Sequence, residues 1–274
     1  MAAGTGNGAY RTRLIGRLRH LPSLRESFKR GSAESVDDVF DPAALAARAQ
    51  GLAAIYAAAD PFPHAVFDDF LRPEAAAALA REFPRPEDDV GWDRYAHETL
   101  EKKLASANET RLPPLVRQAL RELNSGPFIA FLETLTGIEG LVPDPMMLGG
   151  GVHLSRPGDL LGIHADFNWH PRLKLHRRIN VLLYFNPVWD EAWGGDLELW
   201  DTKAKGCVRK IAPLMNRAVV FNTHSDTFHG HPHPLACPEG VFRQSIAAYY
   251  YTAERPADEV RDPHTTRYKG LHLD

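Results

Sequence analysis

The sequence predicts an α+β fold, in which an N-terminal helical annex packs on a double-stranded β-helix, or jelly roll. Residues 41–145 are rich in alanine and carry several helix-start signals. Beyond Pro145 the chain changes to short segments of β-branched and aromatic residues separated by Gly, Pro, Asn and Asp. About eight such segments within roughly 110 residues, with no helical crossovers between them, favour an antiparallel jelly roll.

Four segments are expected along the chain. They are a basic N-terminal segment (1–40), a mostly helical support region (41–145), a jelly-roll core (146–255) and a C-terminal tail (256–274). The basic segment is interpreted as a partly disordered stretch or as a surface helix with a solvated basic face. A membrane-docking or partner-docking helix and a targeting peptide are the alternative interpretations.

Helix signals in the support region follow the positions of the prolines. Asp41 is suited to cap a helix that begins at Pro42 and runs through alanine-rich sequence to Ala59. Pro73 opens a second helix, which ends before Pro84. Two further helices are predicted over 112–124 and from Ser125 onward, and a short strand over 65–67.

Residues 85–110 break this pattern. Their charge density rises and their hydrophobic periodicity fades, which predicts an exposed loop or lid carrying Trp92 and Tyr95. In the second half, turn residues separate the candidate strands. These strands cover 146–156, 160–167, 177–186, 195–201, 207–213, 216–223, 229–235 and 243–252.

Composition limits the classes of protein to which the chain can belong. With 274 residues, 44% of them hydrophobic, it can bury a full core. A formal charge of −3 and a pI near 6.5 do not favour a nucleic-acid partner. Cys207 and Cys237 make neither a disulfide framework nor a zinc site. No apolar run approaches the roughly 20 residues of a membrane helix, so we expect a cytoplasmic protein without integral membrane association; no oligomeric state is predicted.

The chemistry of the chain centres on His164, Asp166 and His229. If His164 and Asp166 end a strand, its period of two residues puts both side chains on one face. His229 lies 65 positions further along (229 − 164) and would close the site from another strand. Two imidazoles and one carboxylate leave three positions of an octahedron open, which suits ferrous iron in oxygenases that also hold a cosubstrate and O₂.

A second His-x-Asp motif occurs at His224 and Asp226. Only 48 residues follow that aspartate (274 − 226). This length is too short for several intervening strands and then a distal ligand. The architecture therefore favours the motif at residues 164–166.

The distal ligand is chosen from three closely spaced histidines, His229, His231 and His233. We favour His229 because it follows a predicted strand through a short loop, and because Gly230 allows a close approach of the backbone. His231 and His233 would then contact either the metal ligands or the substrate.

Arg243 and Ser245 alternate on a predicted strand and point to the same side. A guanidinium that projects into a barrel is costly unless it meets an anion, and together with a hydroxyl it fits a carboxylate. The alternative is an edge arginine that faces water. On the strand predicted over 177–186, Arg178 and Tyr184 would share one face. Tyr184 is interpreted either as a further contact to the carboxylate or as a core aromatic with a backbone partner.

Taken together, these motifs resemble the Fe(II)/2-oxoglutarate-dependent dioxygenases, and are most similar to the prolyl 4-hydroxylase-like type. The similarity rests on His164-x-Asp166, the segments 184–190 and 194–199, His229 and Arg243-x-Ser245, and it spans residues 146–252. It implies that His164, Asp166 and His229 hold Fe(II). It also implies that Arg243, Ser245 and Tyr184 bind the far carboxylate of 2-oxoglutarate.

The resemblance further implies the reaction. 2-Oxoglutarate and O₂ would be consumed, succinate and CO₂ released, and a C–H bond of the substrate hydroxylated. Halogenating relatives lack a carboxylate at the position of Asp166, so the resemblance favours hydroxylation.

One position departs from this pattern. Relatives of the prolyl hydroxylase type often carry a tyrosine just before the glycine turn that precedes the His-x-Asp motif, where it helps to bind 2-oxoglutarate. Here that place is taken by Ser155 or a neighbour, within the segment 153–158. The sequence leaves open what replaces the tyrosine.

The substrate is expected to be a small polar metabolite or natural product. The residues expected to line its binding site are Asn168, Trp169, His170, Arg178 and His231. A prolyl side chain of a protein or peptide is the alternative substrate, although no peptide-docking module is recognisable. A rival from another class is a cupin-like metal-binding protein that does not use 2-oxoglutarate. That rival needs no carboxylate receptor, so Arg243 and Ser245 favour the dioxygenase.

Overall fold

One antiparallel sheet curls around a central cavity, and helices cover one side of it. The computed structural model describes residues 38–270. Its helices are Pro42–Ala57 (α1), Pro73–Glu82 (α2), Pro114–Leu123 (α3) and Gly126–Thr136 (α4), with a short 3₁₀ turn at Glu191–Trp193. Its strands are His64–Phe67 (β1), Asp93–His97 (β2), Glu101–Ser106 (β3), Val142–Pro143 (β4), Gly151–Ser155 (β5), Leu160–Ala165 (β6), Trp169–His170 (β7), Leu175–Tyr184 (β8), Leu197–Trp200 (β9), Cys207–Ile211 (β10), Arg217–Asn222 (β11), His229–His231 (β12), Arg243–Thr252 (β13) and Arg267–Tyr268 (β14).

Sequence signals explain where the helices begin and end. Asp41 caps α1, since its Oδ1 accepts hydrogen bonds from the backbone N–H of Ala43 at 3.0 Å and of Ala44 at 3.1 Å. Helix α4 ends at Gly137, whose φ of 69° lies in the left-handed region that favours glycine. The four predicted helices are confirmed, with small shifts at their ends.

The strands follow the order β1-β11-β8-β13-β5-β3-β6-β12-β9-β10 across the sheet. Strand β3 lies in the middle of this order, between β5 and β6. Residues from the strands on both sides of β3 line the cavity. The pairings of β8 with β13 and of β12 with β6 are antiparallel. This topology confirms the predicted double-stranded β-helix with an N-terminal helical annex.

Alternation along β8 shows how the two faces of the sheet are used. Val181 and Leu183 are buried in one cluster with Phe131 and Leu132 of α4. Tyr184 points the other way and packs inside the sheet, in a second apolar cluster. Truncating one such core leucine to alanine costs roughly 2–5 kcal/mol. The helices therefore fix the strands from outside and leave the inner face free for chemistry.

The prediction of an exposed loop or lid over residues 85–110 is wrong. Strands β2 and β3 lie there, and β3 pairs with both β5 and β6. Hydrophobic alternation does not reveal this strand because two of its inward positions, Glu101 and Lys103, carry charges. The Nζ of Lys103 lies 3.0 Å from the carboxylate of Glu101. An internal ion pair takes the place of the apolar alternation that a half-buried strand normally shows.

The segment predicted as a C-terminal tail contains a strand. Strand β14 pairs with β6, and Tyr268 lies opposite His164. The division of the chain into four segments stays a prediction, and its first segment, 1–40, lies almost wholly outside the described residues. Among residues 38–270, no helix has the length and apolar character needed to cross a membrane.

Candidate active site

His164, Asp166 and His229 converge inside the sheet. The pairing of β12 with β6 places His229 opposite His164, and their ring centroids are 4.4 Å apart. Asp166 follows directly after β6. One potential ligand atom from each residue lies within 4.8 Å of the other two, and all three residues are buried. These three residues, the metal cluster, could therefore hold one metal ion.

Hydrogen bonds determine which nitrogen of each imidazole faces this cluster. The Nδ1 of His164 lies 2.8 Å from the carbonyl oxygen of Gly162, and that of His229 lies 3.0 Å from the carbonyl oxygen of Thr227. When each Nδ1–H donates to its carbonyl, each Nε2 lone pair faces Asp166, whose carboxylate oxygens are 3.5 Å away. Burial lowers the pKa of His229 to about 4, and the adjacent His164 adds to the effect. Neutral imidazoles and a carboxylate fit Fe(II).

Two buried side chains that were not assigned from the sequence hold the carboxylate of Asp166. Its Oδ2 accepts a hydrogen bond from Asn180 at 2.7 Å and lies 3.0 Å from a guanidinium nitrogen of Arg177. Burial alone would raise the pKa of Asp166, but the charge of Arg177 and the two imidazoles holds it well below its usual value. The carboxylate is therefore ionised and fixed in orientation.

Arg177 lies between two aromatic rings. Its guanidinium carbon is 3.6 Å from the ring centroid of Tyr249 and 4.4 Å from that of Phe167. Its Nε and one terminal nitrogen donate to the Oδ1 of Asn180 at 3.0 and 2.8 Å. Arg177 and Asn180 thus form one rigid support for Asp166.

Arg178, which was expected to contact the substrate, does not line the cavity. Between β8 and β13, Tyr250 pairs with Ile179 whereas Tyr251 pairs with Arg177, so Arg178 is the extra residue of a β-bulge. The bulge interrupts the alternation that placed Arg178 on the inner face. Its guanidinium instead donates to the hydroxyl of Thr252 at 3.2 Å, outside the cavity.

Arg243 lines the same cavity as the metal cluster. Its Nε donates to the carbonyl oxygen of Gly195 at 2.7 Å, and a terminal nitrogen donates to the hydroxyl of Tyr184 at 3.3 Å. A Cβ at position 195 would lie 3.3 Å from the Arg243 side chain and closer still to Leu235, at a φ of +76°, which explains the glycine. Among residues 38–270, no carboxylate lies within 4.0 Å of this guanidinium.

Tyr184 lies behind Arg243 and is fully buried. Its hydroxyl has a side-chain partner in Arg243 rather than the backbone partner of the alternative interpretation. Burial raises the pKa of Tyr184. Tyr184 therefore orients the guanidinium, and its direct contact with a carboxylate stays a prediction.

The cavity has a volume of 590 Å³. Ser245, Trp169 and His231, which were expected to contact the cosubstrate or the substrate, lie in its wall. The wall also contains the following residues, which were not assigned individually from the sequence: Glu101, Lys103, His153, Arg177, Tyr249, His264, Thr265, Thr266 and Tyr268. The spacing of Glu101 and Lys103 would have placed both on one face, had β3 been recognised as a strand.

Asn168 and His170 do not contribute to the cavity wall, contrary to the prediction. Asn168 donates to the carbonyl oxygen of Asp262 at 2.9 Å and accepts from the backbone N–H of His264 at 2.8 Å. His170 is fully buried, with its Nε2 3.3 Å from the carboxylate of Asp144. After Asp166 the chain turns into β7, which pairs with β8, so these side chains support structure.

Comparisons with known proteins agree with this geometry. Residues 150–251 match the family model described as the 2OG-Fe(II) oxygenase superfamily. Over 198 residues, the chain is 28% identical to prolyl 3-hydroxylase OGFOD1 of Mus musculus. This match covers 70% of the chain and 33% of the relative, so the chain spans about a third of the length of that curated protein.

Solved structures share the fold. One is a prolyl hydroxylase in complex with a hypoxia inducible factor oxygen degradation domain peptide fragment from Trichoplax adhaerens, with 16% identity, a TM-score of 0.56, and coverage of 78% of this chain and 94% of that chain. Another is the non-heme alpha ketoglutarate dependent carbocyclase SnoK from nogalamycin biosynthesis, with 12% identity, a TM-score of 0.50, and coverage of 82% and 88%. These two comparisons show the fold alone.

The matched region contains the metal cluster and Arg243. Fe(II) as cofactor and 2-oxoglutarate as cosubstrate, which the sequence resemblance implied, are confirmed by the family match. Over residues 150–251 the chain is similar to the 2OG-Fe(II) oxygenase superfamily, and it shares its fold with a solved prolyl hydroxylase.

Proposed function

We propose that the protein hydroxylates an unactivated C–H bond of a small polar metabolite or natural product, with release of succinate and CO₂. His164, Asp166 and His229 hold Fe(II), while Arg243 and Ser245 bind the far carboxylate of 2-oxoglutarate and Tyr184 orients Arg243. The cytoplasmic location and the lack of a nucleic-acid partner stay predictions.

One observation carries this proposal: an anionic metal cluster and an arginine without a carboxylate partner line one cavity. A buried guanidinium that contacts only neutral groups is costly unless a ligand supplies the anion. A 2-oxo dicarboxylic acid offers metal-chelating oxygens at one end and a carboxylate at the other. A cupin-like protein that does not use such an acid would have no ligand carboxylate to pair with Arg243.

When bound, Fe(II) and 2-oxoglutarate supply the oxidising power that an unactivated C–H bond requires. The protein contributes geometry and exclusion of water. Arg177 and Asn180 hold Asp166 in one orientation, and the half-buried aromatic rings of Phe167 and Tyr249 line the cavity beside it and limit access of water to the reacting atoms.

The choice of a small molecule rests on the wall of the cavity. Residues 263–266 and Tyr268 form part of it, and the Tyr268 ring lies 5.4 Å from that of His164. Asn168 fixes the backbone of this segment through hydrogen bonds with Asp262 and His264. The volume of 590 Å³ falls in the range of about 300–1,000 Å³ that small-molecule sites occupy.

A prolyl side chain of a protein or peptide is the second candidate substrate. It is favoured by the likeness to a relative named as a prolyl 3-hydroxylase. A cavity of this volume cannot admit a folded protein. An extended peptide, in contrast, would need to place only one side chain in it.

Succinate release tests this proposal. The protein is incubated with Fe(II), 2-oxoglutarate and O₂ and with a panel of amino acids, glycosides and proline-containing peptides. We expect a small polar compound to raise succinate release well above the uncoupled background, and Asp166→Ala to abolish the increase. Stimulation by peptides alone would select the prolyl hydroxylase. A protein that binds iron but never forms succinate would overturn the oxygenase and favour the cupin-like alternative.

A further inference from the structure

Three nitrogen-bearing side chains in the cavity wall are not needed to hold the metal. They are Arg243, Lys103 and His231, here called the donor cluster, and all three are buried. Each can donate a hydrogen bond to an anion. Only Arg243 was expected to do so from the sequence.

Strand register brings Lys103 near Arg243. Arg243 pairs with Ser155 between β13 and β5. Leu104, next to Lys103, pairs with Leu154, next to Ser155. Lys103 and Arg243 therefore lie on the two strands that flank Ser155, and both side chains reach the cavity.

Ser155 stands where related oxygenases often carry a tyrosine that helps to bind 2-oxoglutarate. Its hydroxyl is too short to reach as far as a tyrosine, and it does not contribute to the cavity wall. The four-carbon chain of Lys103, from the adjacent strand, has the required reach. Lys103 thus brings a positive charge to the cavity from the strand next to Ser155.

The ammonium of Lys103 is anchored on one side. Its Nζ lies 3.0 Å from the carboxylate of Glu101, whose other oxygen accepts a hydrogen bond from the hydroxyl of Tyr268 at 2.9 Å. An ammonium has three donors. Glu101 orients Lys103 and still leaves it donors for a ligand.

His231 supplies a donor without a partner. Its Nδ1 is buried and makes no hydrogen bond to any of residues 38–270. His231 and Glu101 both pair with Leu161, from opposite sides, so the imidazole faces the interior next to β3. An unsatisfied buried nitrogen destabilises the protein unless a ligand completes it.

We propose that Lys103 and His231 bind the far carboxylate of 2-oxoglutarate together with Arg243, and that Lys103 replaces the tyrosine missing at Ser155. This inference rests on the proposed function, since it assumes that the 2-oxo acid chelates the metal. A guanidinium, an ammonium and an imidazole N–H together supply donors for both oxygens of a carboxylate. The site therefore selects dicarboxylic over monocarboxylic 2-oxo acids.

The test compares two 2-oxo acids of equal chain length. Fe(II)-loaded protein is titrated without O₂ with 2-oxoglutarate or with 2-oxopentanoate, which has a methyl group in place of the far carboxylate, and the charge-transfer absorbance is followed. We expect Lys103→Met and His231→Leu each to raise the Kd for 2-oxoglutarate about tenfold. The Kd for 2-oxopentanoate should change little.

Matched controls separate this effect from general damage. Lys102→Met removes the adjacent lysine, which does not line the cavity, and His233→Leu removes an exposed histidine; both should bind 2-oxoglutarate like the native protein. Lys103→Arg keeps the charge and should retain most of the affinity. If Lys103→Met fails to fold because Glu101 is left unpaired, the double variant with Glu101→Gln gives the same comparison.

Two outcomes overturn the inference. Unchanged affinity for 2-oxoglutarate in both variants would remove Lys103 and His231 from the carboxylate site. Equal weakening for both oxo acids would assign them to another part of the ligand. Absence of any charge-transfer band in the native protein would instead contradict the proposed function itself.

Discussion

The metal cluster and the donor cluster share one cavity, but the protein supports them in opposite ways. In the metal cluster, both imidazoles have a carbonyl partner at Nδ1, and Asp166 is held by Asn180. In the donor cluster, Arg243 contacts only the neutral oxygens of Gly195 and Tyr184. The Nδ1 of His231 has no partner among the described residues.

This difference indicates how each part works. The metal cluster is preorganised by internal hydrogen bonds, so a cation finds its ligands already in place. The donor cluster carries buried polar groups that only an anionic ligand completes. A single molecule that chelates the metal and ends in a carboxylate satisfies both clusters.

The largest expected effect comes from removing the central carboxylate. Asp166→Ala takes the anionic ligand from the metal cluster and leaves Arg177 unpaired, so we expect Fe(II) affinity to fall by more than about a hundredfold. Equilibrium dialysis without O₂ measures it. Asp226→Ala is the matched control, because it alters the exposed aspartate of the other His-x-Asp motif. Native-like iron binding by Asp166→Ala would contradict the metal cluster.

The second-largest effect should show that the two clusters bind their ligands independently. Arg243→Ala removes the principal carboxylate donor, and we expect the Kd for 2-oxoglutarate to rise about a hundredfold with Fe(II) affinity nearly unchanged. Titration of the charge-transfer absorbance measures the former and dialysis the latter. Arg178→Ala, a buried arginine outside the cavity, should leave both values unchanged. Joint loss of iron and cosubstrate binding in Arg243→Ala would show that the clusters are not independent.

A smaller effect should come from the support of the metal cluster. Arg177→Met keeps much of the side-chain volume but removes the charge next to Asp166, and we expect Fe(II) affinity to fall roughly tenfold. Arg177→Lys keeps the charge and loses the fork to Asn180, so its affinity should lie between those of the native protein and Arg177→Met. Iron affinities measured by dialysis that are equal in all three proteins would exclude a positioning role for Arg177.

The smallest effect concerns the cavity wall. Asn168→Ala removes the hydrogen bonds to Asp262 and His264, and we expect a loss of about 1 kcal/mol in the free energy of unfolding. Amide hydrogen exchange over residues 261–266 should become faster, while the affinities for Fe(II) and 2-oxoglutarate stay unchanged. A marked drop in either affinity would show that Asn168 contributes to the binding site, although its side chain does not line the cavity.

The sequence predicted the parts of the molecule that follow short-range rules. Helix starts at Asp41 and Pro73, strand alternation and the spacing of His164 and Asp166 depend on neighbouring residues, and the structure brings His164 and Asp166 together with His229. Arg178 was chosen over Arg177 because a β-bulge cannot be read from alternation.

Strand β3 was missed for a different reason. Glu101 and Lys103 look like surface charges in the sequence, and only the pairing of β3 with β5 and β6 turns them inward to neutralise each other. The role of Asn168 was equally hidden, because its partners lie at residues 262–264. Long-range pairing, rather than local pattern, decided these positions.

One anaerobic titration tests the joint action of the two clusters most directly. Fe(II) is added to the protein to one equivalent, and 2-oxoglutarate is then added while the charge-transfer absorbance is recorded. We expect the band to appear in the native protein with saturable binding, to be absent in Asp166→Ala, and to require far more 2-oxoglutarate in Arg243→Ala. A native protein that binds iron but shows no band at any concentration of 2-oxoglutarate would contradict the joint binding of this acid by the two clusters.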